Sequence, residues 1–225
     1  MSRGHSAGYR RLRQGCEPVR LARVNGELST AWPGFTGQCP QCASAVIAKC
    51  GHVNTWHWAH KAADCDTWAE PLTQWHADWQ DRFPAEWCEV PLGDHRADVR
   101  LPDGRVIEFQ HSNLSVDEIR QREQHYGPRM VWVFDAVDAY ARERLTLREK
   151  KSDDGNVYHS LRWRHPRRSV MACRRKVFLD LGDGLLLELR KIHPGPPYYG
   201  WGYPRSVEDF LIVTRPGSCA RGVSV

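Results

Sequence analysis

The sequence predicts an α+β fold, and three observations carry that reading. Two β-prone segments, "HRADVRL" and "RVIEFQ", flank Pro102-Asp103-Gly104, the chemistry of a hairpin turn. Before them, Trp68, Leu72, Trp75, Trp79 and Phe83 recur at helical spacing. After them, Ser115-Val116-Asp117-Glu118 is a capping-box sequence, and "RMVWVFDA" follows as a buried strand. With "WCEVPL" as a further strand, the order is helix, three strands, helix, strand.

The chain has 225 residues, enough for one sizeable core with a small satellite. It divides into a basic segment at 1–36, a Cys/His-rich segment at 37–66, the helix and strand alternation at 67–138, and a basic extension at 139–225. In the first, "PVRLARV" reads as a strand. In the last, "DAYARERLTLREKK" reads as a charged helix. "YHSLRWR", "KVFLDL" and "LLLELRKI" read as strands, with turns at Asp153-Asp154-Gly155 and Gly182-Asp183-Gly184. "HPGPPYYGWGYP" reads as a loop before the short segment "EDFLIV".

No apolar run approaches the ~18 residues of a membrane-spanning helix. "MSRGHSAGYRRLRQG" lacks the apolar core of a signal peptide, so a cytoplasmic protein is expected. There, the eight cysteines should be reduced or metal-bound. The net charge of +5 conceals an acidic centre, Asp64 to Asp138, between basic flanks. Such a division suits metal-binding acids beside a phosphate-binding surface; the plain alternative is solvated faces that differ in charge.

Pro-Asp-Gly favours a three-residue loop with glycine in the left-handed region. Leu101 then faces Arg105, and counting outward sets Asp98 across from Glu108. Val99 and Ile107, and Ala97 and Phe109, make an apolar face, while Asp98, Glu108 and Gln110 lie on the other. A two-residue loop would shift the register by one and separate the two acids. Opposed acids repel, and a hard divalent cation, Mg²⁺ or Mn²⁺, turns that repulsion into a site. The alternative is two solvent-facing acids on an ordinary hairpin.

Cys39-Pro-Gln-Cys42 and His57-Trp-Ala-His60 pair a C-x2-C with an H-x2-H about fifteen residues on. That spacing suits a structural Zn²⁺ held by two thiolates and two imidazoles. Cys50, His52 and Cys65 are spare ligands, and Cys65 is the first substitute if one histidine turns outward. Cys16, Cys88, Cys173 and Cys219 belong to no motif. Trp163, Trp201, Tyr198, Tyr199 and Tyr203 lie among arginines and read as core and loop packing or as base-stacking groups.

Taken in order, "CPQC", "HWAH", "WAEPLTQWHADW", "HRADV", "IEFQHS", "VWVFD" and "LRWRHPRRSVMACRRKVFLDLGDG" resemble the competence protein CoiA-like family of the PD-(D/E)xK nuclease superfamily. The resemblance spans roughly residues 35–215. It implies a restriction-endonuclease-like mixed sheet flanked by helices, with a small zinc module before it. It also implies a DNA phosphodiesterase site of Glu70, Asp98, Glu108 and Gln110, with His76 nearby. Mg²⁺ or Mn²⁺ is expected on Asp98, Glu108 and the carbonyl of Phe109. Arg164, Arg167, Arg168, Arg174 and Arg175 are the expected phosphate contacts.

Two positions depart from the superfamily. Gln110 stands in place of its usual lysine and can only orient water or phosphate by hydrogen bonding. Gln80 stands where a helix lysine is expected. His76 also reads as a packed core histidine, and Glu70 as a helix-capping acid. The expected function is a metal-dependent deoxyribonuclease in DNA uptake, recombination or defence. Two alternatives are a nucleic-acid-binding protein that kept the fold without the chemistry, and an interaction scaffold built around the zinc module.

Overall fold

The computed structural model describes residues 18–61, 65–68 and 71–214. Its elements begin with β1 (Pro18–Val19), β2 (Leu21–Val24), β3 (Glu27–Thr30), β4 (Thr36–Gln38), β5 (Ala45–Lys49) and β6 (His57–His60). These form a six-stranded sheet in the order β1-β6-β5-β4-β2-β3. Asn25 and Gly26 join β2 to β3, with φ of 53° and 90°, the left-handed pair that a tight hairpin requires. Val19, Ala22, Val46 and Trp58 make a small separate core, and the Trp58 indole donates to Ser29 O at 2.9 Å.

The second sheet follows α1 (Gln74–Gln80). Its strands are β7 (Cys88–Leu92), β8 (His95–Arg100), β9 (Val106–Gln110), β10 (Val131–Asp135), β11 (Leu145–Lys151), β12 (Val157–Trp163), β13 (Lys176–Gly182), β14 (Leu185–His193) and β15 (Tyr198–Ser206). Four helices lie between or after them: α2 (Val116–Tyr126), α3 (Val137–Ala141), α4 (Arg168–Ala172) and α5 (Val207–Thr214). The spatial order is β11-β12-β15-β14-β13-β10-β9-β8-β7. β9, β10 and β13 run parallel and the other pairs antiparallel, so the sheet is mixed.

Both faces of this sheet are covered. Trp132, Phe134 and Leu179 pack with Ile119 of α2 and Val170 of α4. Phe109, Val133 and Phe178 pack on the opposite side with Trp79 of α1 and Phe210 of α5. The parallel connection from β9 to β10 runs through α2, capped as the sequence predicts: Ser115 Oγ accepts from Glu118 N, and Glu118 accepts from Ser115 N.

Three expectations change, and one unassigned segment gains a structure. The segment around Trp68 is not one helix. Thr73 caps α1 by accepting from His76 N, so Pro71 and Trp68 precede it. "DAYARERLTLREKK" is helix only through α3, after which Glu143 takes φ 53° and the chain turns into β11. "YYGWGYP" is a strand, β15, because Gly200 and Gly202 let it lie against β14. A Cβ there would come within 2.2 Å of Lys191 O and 2.4 Å of Glu188 O. "EDFLIV" lies in a helix, α5.

Candidate functional site

The predicted hairpin register is present. Gly104 donates to Leu101 O, Leu101 donates to Arg105 O, both at 2.8 Å, and Gly104 has φ 83°. Val99 pairs with Ile107 and Arg100 with Val106, so Asp98 falls opposite Glu108. The regular ladder stops there, and side chains take over. Asp98 Oδ2 accepts from Phe109 N at 2.7 Å, and Glu108 Oε1 accepts from Asp98 N at 3.1 Å. Each acid thereby fixes one oxygen on the neighbouring strand.

The other two oxygens meet positive or protonatable side chains. His76 Nε2 lies 3.2 Å from Asp98 Oδ1. Arg122 Nη1 lies 3.3 Å from Glu108 Oε2. The acid-bearing face is not solvated, as a hairpin at a sheet edge would allow. β9 is buried along its whole length, and Glu108 is 2% exposed. Burial and the nearby Asp98 charge hold the Glu108 carboxyl well above the ordinary 4.5, against the pull of Arg122. Burial opposes ionisation of Asp98 too, but His76, the Phe109 N–H and Arg122 outweigh it and hold its carboxyl below 3.8. One acid is set to carry charge and its neighbour to hold a proton, the asymmetry expected of two close carboxyls.

Arg122 is the residue that sequence reasoning missed. Ile119, Arg122 and Glu123 form the buried side of α2, so two charged residues occupy inward helical positions, and that periodicity was the available signal. Arg122 also donates to Trp68 O at 2.8 Å and lies over the Trp68 ring. Gln80 is fully buried and donates to Asp98 O at 3.1 Å, so it ties α1 to β8 rather than facing solvent. Gln110 is buried as well, and its amide donates to Ser112 O and Oγ at 3.0 and 3.1 Å. Glu70 lies outside the described residues.

Of the five arginines, Arg167 donates to Gln110 O at 3.2 Å. Arg164, Arg168 and Arg174 are exposed and Arg175 half-buried. The backbone N–H groups of Arg174 and Arg175 are anchored on Glu123 Oε1 at 2.8 and 2.9 Å. Trp163 is buried, and Tyr199 is the exposed aromatic of β15.

The sulfur site differs from the expected ligand set by one residue. Cys39, Cys42, His60 and Cys65 bring one ligand atom each within 4.8 Å of one another. His57 is not among them. It sits three residues before His60 on a strand, where side chains alternate, so the two point to opposite faces. Its Nδ1 lies 2.9 Å from Thr55 O instead. Cys65, the spare ligand, takes the fourth place.

The cluster fits zinc. Tetrahedral Zn–S and Zn–N bonds require ligand atoms about 3.3–3.8 Å apart. Cys39 Sγ and Cys65 Sγ are 3.7 Å apart, and Cys42 Sγ and His60 Nε2 are 3.3 Å apart. Burial would raise the Cys42 thiol, but hydrogen bonds from Ser44, His60 and Cys39 bring it down to about 6. Burial and the neighbouring Cys39 push Cys65 upward, so a cation is what would make it a thiolate. Next along the chain, Asp66 Oδ1 holds His95 Nδ1 at 2.8 Å and Asp66 Oδ2 accepts from Arg96 N at 2.9 Å. The cluster is thus joined to the strand that carries Asp98.

These features define a mixed-sheet α+β protein with an N-terminal Cys3His centre suited to zinc. Residues 36–67, which contain all four ligands, match the family model described as "Competence protein CoiA, N-terminal domain". No curated protein and no solved structure matches the chain. Among the described residues, no helix is long and apolar enough to cross a membrane.

Proposed function

We propose that the chain is a metal-dependent nuclease of the PD-(D/E)xK type that hydrolyses DNA phosphodiester bonds. The observation that supports this most is the interrupted ladder between β8 and β9. There, the buried Glu108 and the half-buried Asp98 each lend one oxygen to a backbone N–H of the facing strand. A buried carboxyl facing a second, half-buried one is costly without a cation. Asp98, Glu108 and the Phe109 carbonyl are the groups to hold Mg²⁺ or Mn²⁺. The ion would supply an activated water and charge neutralisation at the scissile phosphate. His76 positions Asp98, Gln80 holds the backbone beneath it, and Arg167 marks the side from which phosphate approaches.

The test is cleavage of single- and double-stranded DNA with Mn²⁺, against an EDTA control. Asp98→Asn and Glu108→Gln keep shape but remove ligand charge, so each should abolish cleavage while DNA binding survives. Equal cleavage by wild type and Glu108→Gln would trace the activity to a contaminant or another site.

A second reading rests on Arg122. Its guanidinium already lies against Glu108 where a metal ion would sit, and Gln110 supplies no cation. In that reading the protein binds nucleic acid without cutting it. Binding unaffected by Mn²⁺, with no cleavage by any variant, would favour it.

A further inference from the structure

Trp32 and Trp56 stand apart from every core of the protein. They are 61% and 42% exposed, and their rings meet edge to face with centroids 5.8 Å apart. Trp32 lies in the turn between β3 and β4, and Trp56 in the connection from β5 to β6. Phe35, 50% exposed, and Val53, 94% exposed, belong to the same two connections. Large side chains clustered outside a core mark a surface made for a partner. The pair is also held in place: Trp56 Nε1 donates to Gly51 O at 3.2 Å.

The surroundings select the partner. From residue 18 to residue 61 the chain carries Arg20, Arg23, Lys49 and Lys61 against Glu27; Arg20 is buried and paired with Asp81, which leaves Arg23, Lys49 and Lys61 as the positive charges of this module that can attract an anion. A groove of about 650 Å³ runs beside Trp56; the Arg20–Asp81 ion pair lines it together with Thr30, His52, Asn54 and Gln74, groups that hydrogen-bond in either direction. Leu72 borders this groove and also a small cavity of about 50 Å³ beside His76 and Asp98. Basic charge, exposed tryptophans and a polar groove together match a nucleic-acid strand. In a duplex the base faces are stacked away; only a single strand offers them to an indole.

We propose that Trp32 and Trp56 form a stacking platform for the unpaired bases of single-stranded DNA, which the adjoining groove leads toward Asp98. The proposal rests on the nucleic-acid reading above and narrows its substrate to a single strand. It does not require cleavage.

The test uses the whole chain with its zinc and no added divalent cation. Fluorescence anisotropy measures binding of a labelled oligo(dT) 15-mer and of a hairpin duplex. Trp32→Ala and Trp56→Ala should each weaken single-strand binding about tenfold and leave duplex binding nearly unchanged. Trp→Phe at either position keeps a stacking ring and should stay within about threefold of wild type. Zinc content and circular dichroism identify variants that remain folded. If alanine variants do not fold, photocrosslinking of wild type to a 5-bromouridine oligonucleotide decides, with adducts expected at Trp32 or Trp56.

Unchanged single-strand affinity in folded alanine variants overturns the proposal, as do parallel losses for strand and duplex, or adducts confined to other residues. Loss of self-association with intact DNA affinity also overturns it and makes the patch a contact between copies. The two readings fail separately. Tryptophan-dependent binding without Mn²⁺ cleavage removes the nuclease and keeps the platform. Mn²⁺ cleavage with tryptophan-independent binding does the reverse.

Discussion

In the N-terminal module, three thiols and an imidazole converge from a knuckle, a strand end and a loop around a core as small as Val19, Ala22, Val46 and Trp58. In the nine-stranded sheet, Asp98 and Glu108 are fixed by backbone N–H groups and already face His76 and Arg122. A metal at the first centre would therefore hold together a module with little core of its own. The second is supported by a large two-sided core and by Arg122 and His76. Zinc at the first centre would contribute to folding, whereas the divalent cation of the proposed nuclease would enter a site that is folded without it.

The largest effect should come from the sulfur centre. Apparent zinc affinities in such small modules correspond to roughly 10–16 kcal/mol, so Cys39→Ser should lose the metal and the order of the N-terminal sheet. Metal analysis of wild type should give about one zinc per chain, a stoichiometry set by the single complete ligand set. Limited proteolysis of the variant should cut within residues 18–61 first. A variant that keeps stoichiometric zinc and resists protease would erase the contrast between the two regions.

Arg122→Met should come next. It leaves Glu108 buried beside the Asp98 charge with its cation removed, which costs about 3–5 kcal/mol if the carboxylate stays ionised. Protonation of Glu108 offsets part of that, so the loss should be greater at pH 8 than at pH 5. Urea unfolding at the two pH values measures it, and equal losses would mean that Glu108 is not the group affected.

Glu108→Gln sharpens the same point with a smaller effect. The folded-state pKa of Glu108 is raised above 4.5, so folding is favoured by its proton below that pH. This stability is lost as pH climbs through the folded value. Glutamine has no such proton, so the variant should match wild type near pH 4.5 and gain on it above, by at most about 1.4 kcal/mol per pH unit. Asp98 has the opposite sign: its lowered pKa stabilises the fold above 3.8, and that is lost as pH falls. Parallel pH profiles for wild type and Glu108→Gln would remove the asymmetry assigned to the pair.

The smallest effect belongs to His57→Ala. Its imidazole has only the Thr55 carbonyl as a hydrogen-bond partner among the described residues, so the change should cost less than about 1.5 kcal/mol and leave zinc content untouched. Zinc loss in this variant, measured beside Cys65→Ser, would restore the two-histidine ligand set.

Local chemistry made much of this legible in the chain itself. Pro102-Asp103-Gly104 dictates its turn through the fixed proline φ and the tolerance of glycine for positive φ, and the turn dictates that Asp98 meets Glu108. Ser115 and Glu118 dictate the start of α2, and the Cys39–Cys42 spacing dictates a metal knuckle. Each rests on interactions between residues close in sequence.

What tertiary structure alone decided involves distant residues. His57 was lost as a ligand because the backbone there is extended, and i, i+3 share a face only in a helix. Gly200 and Gly202 read as loop residues until β14 lies against them and only a missing Cβ permits the approach. Arg122 lies at an inward position of α2, but only the parallel crossover, which lays that helix over β9, sets it against Glu108. Turn and cap residues act on their own backbone, whereas the cation opposite a buried acid is chosen by which element packs above it.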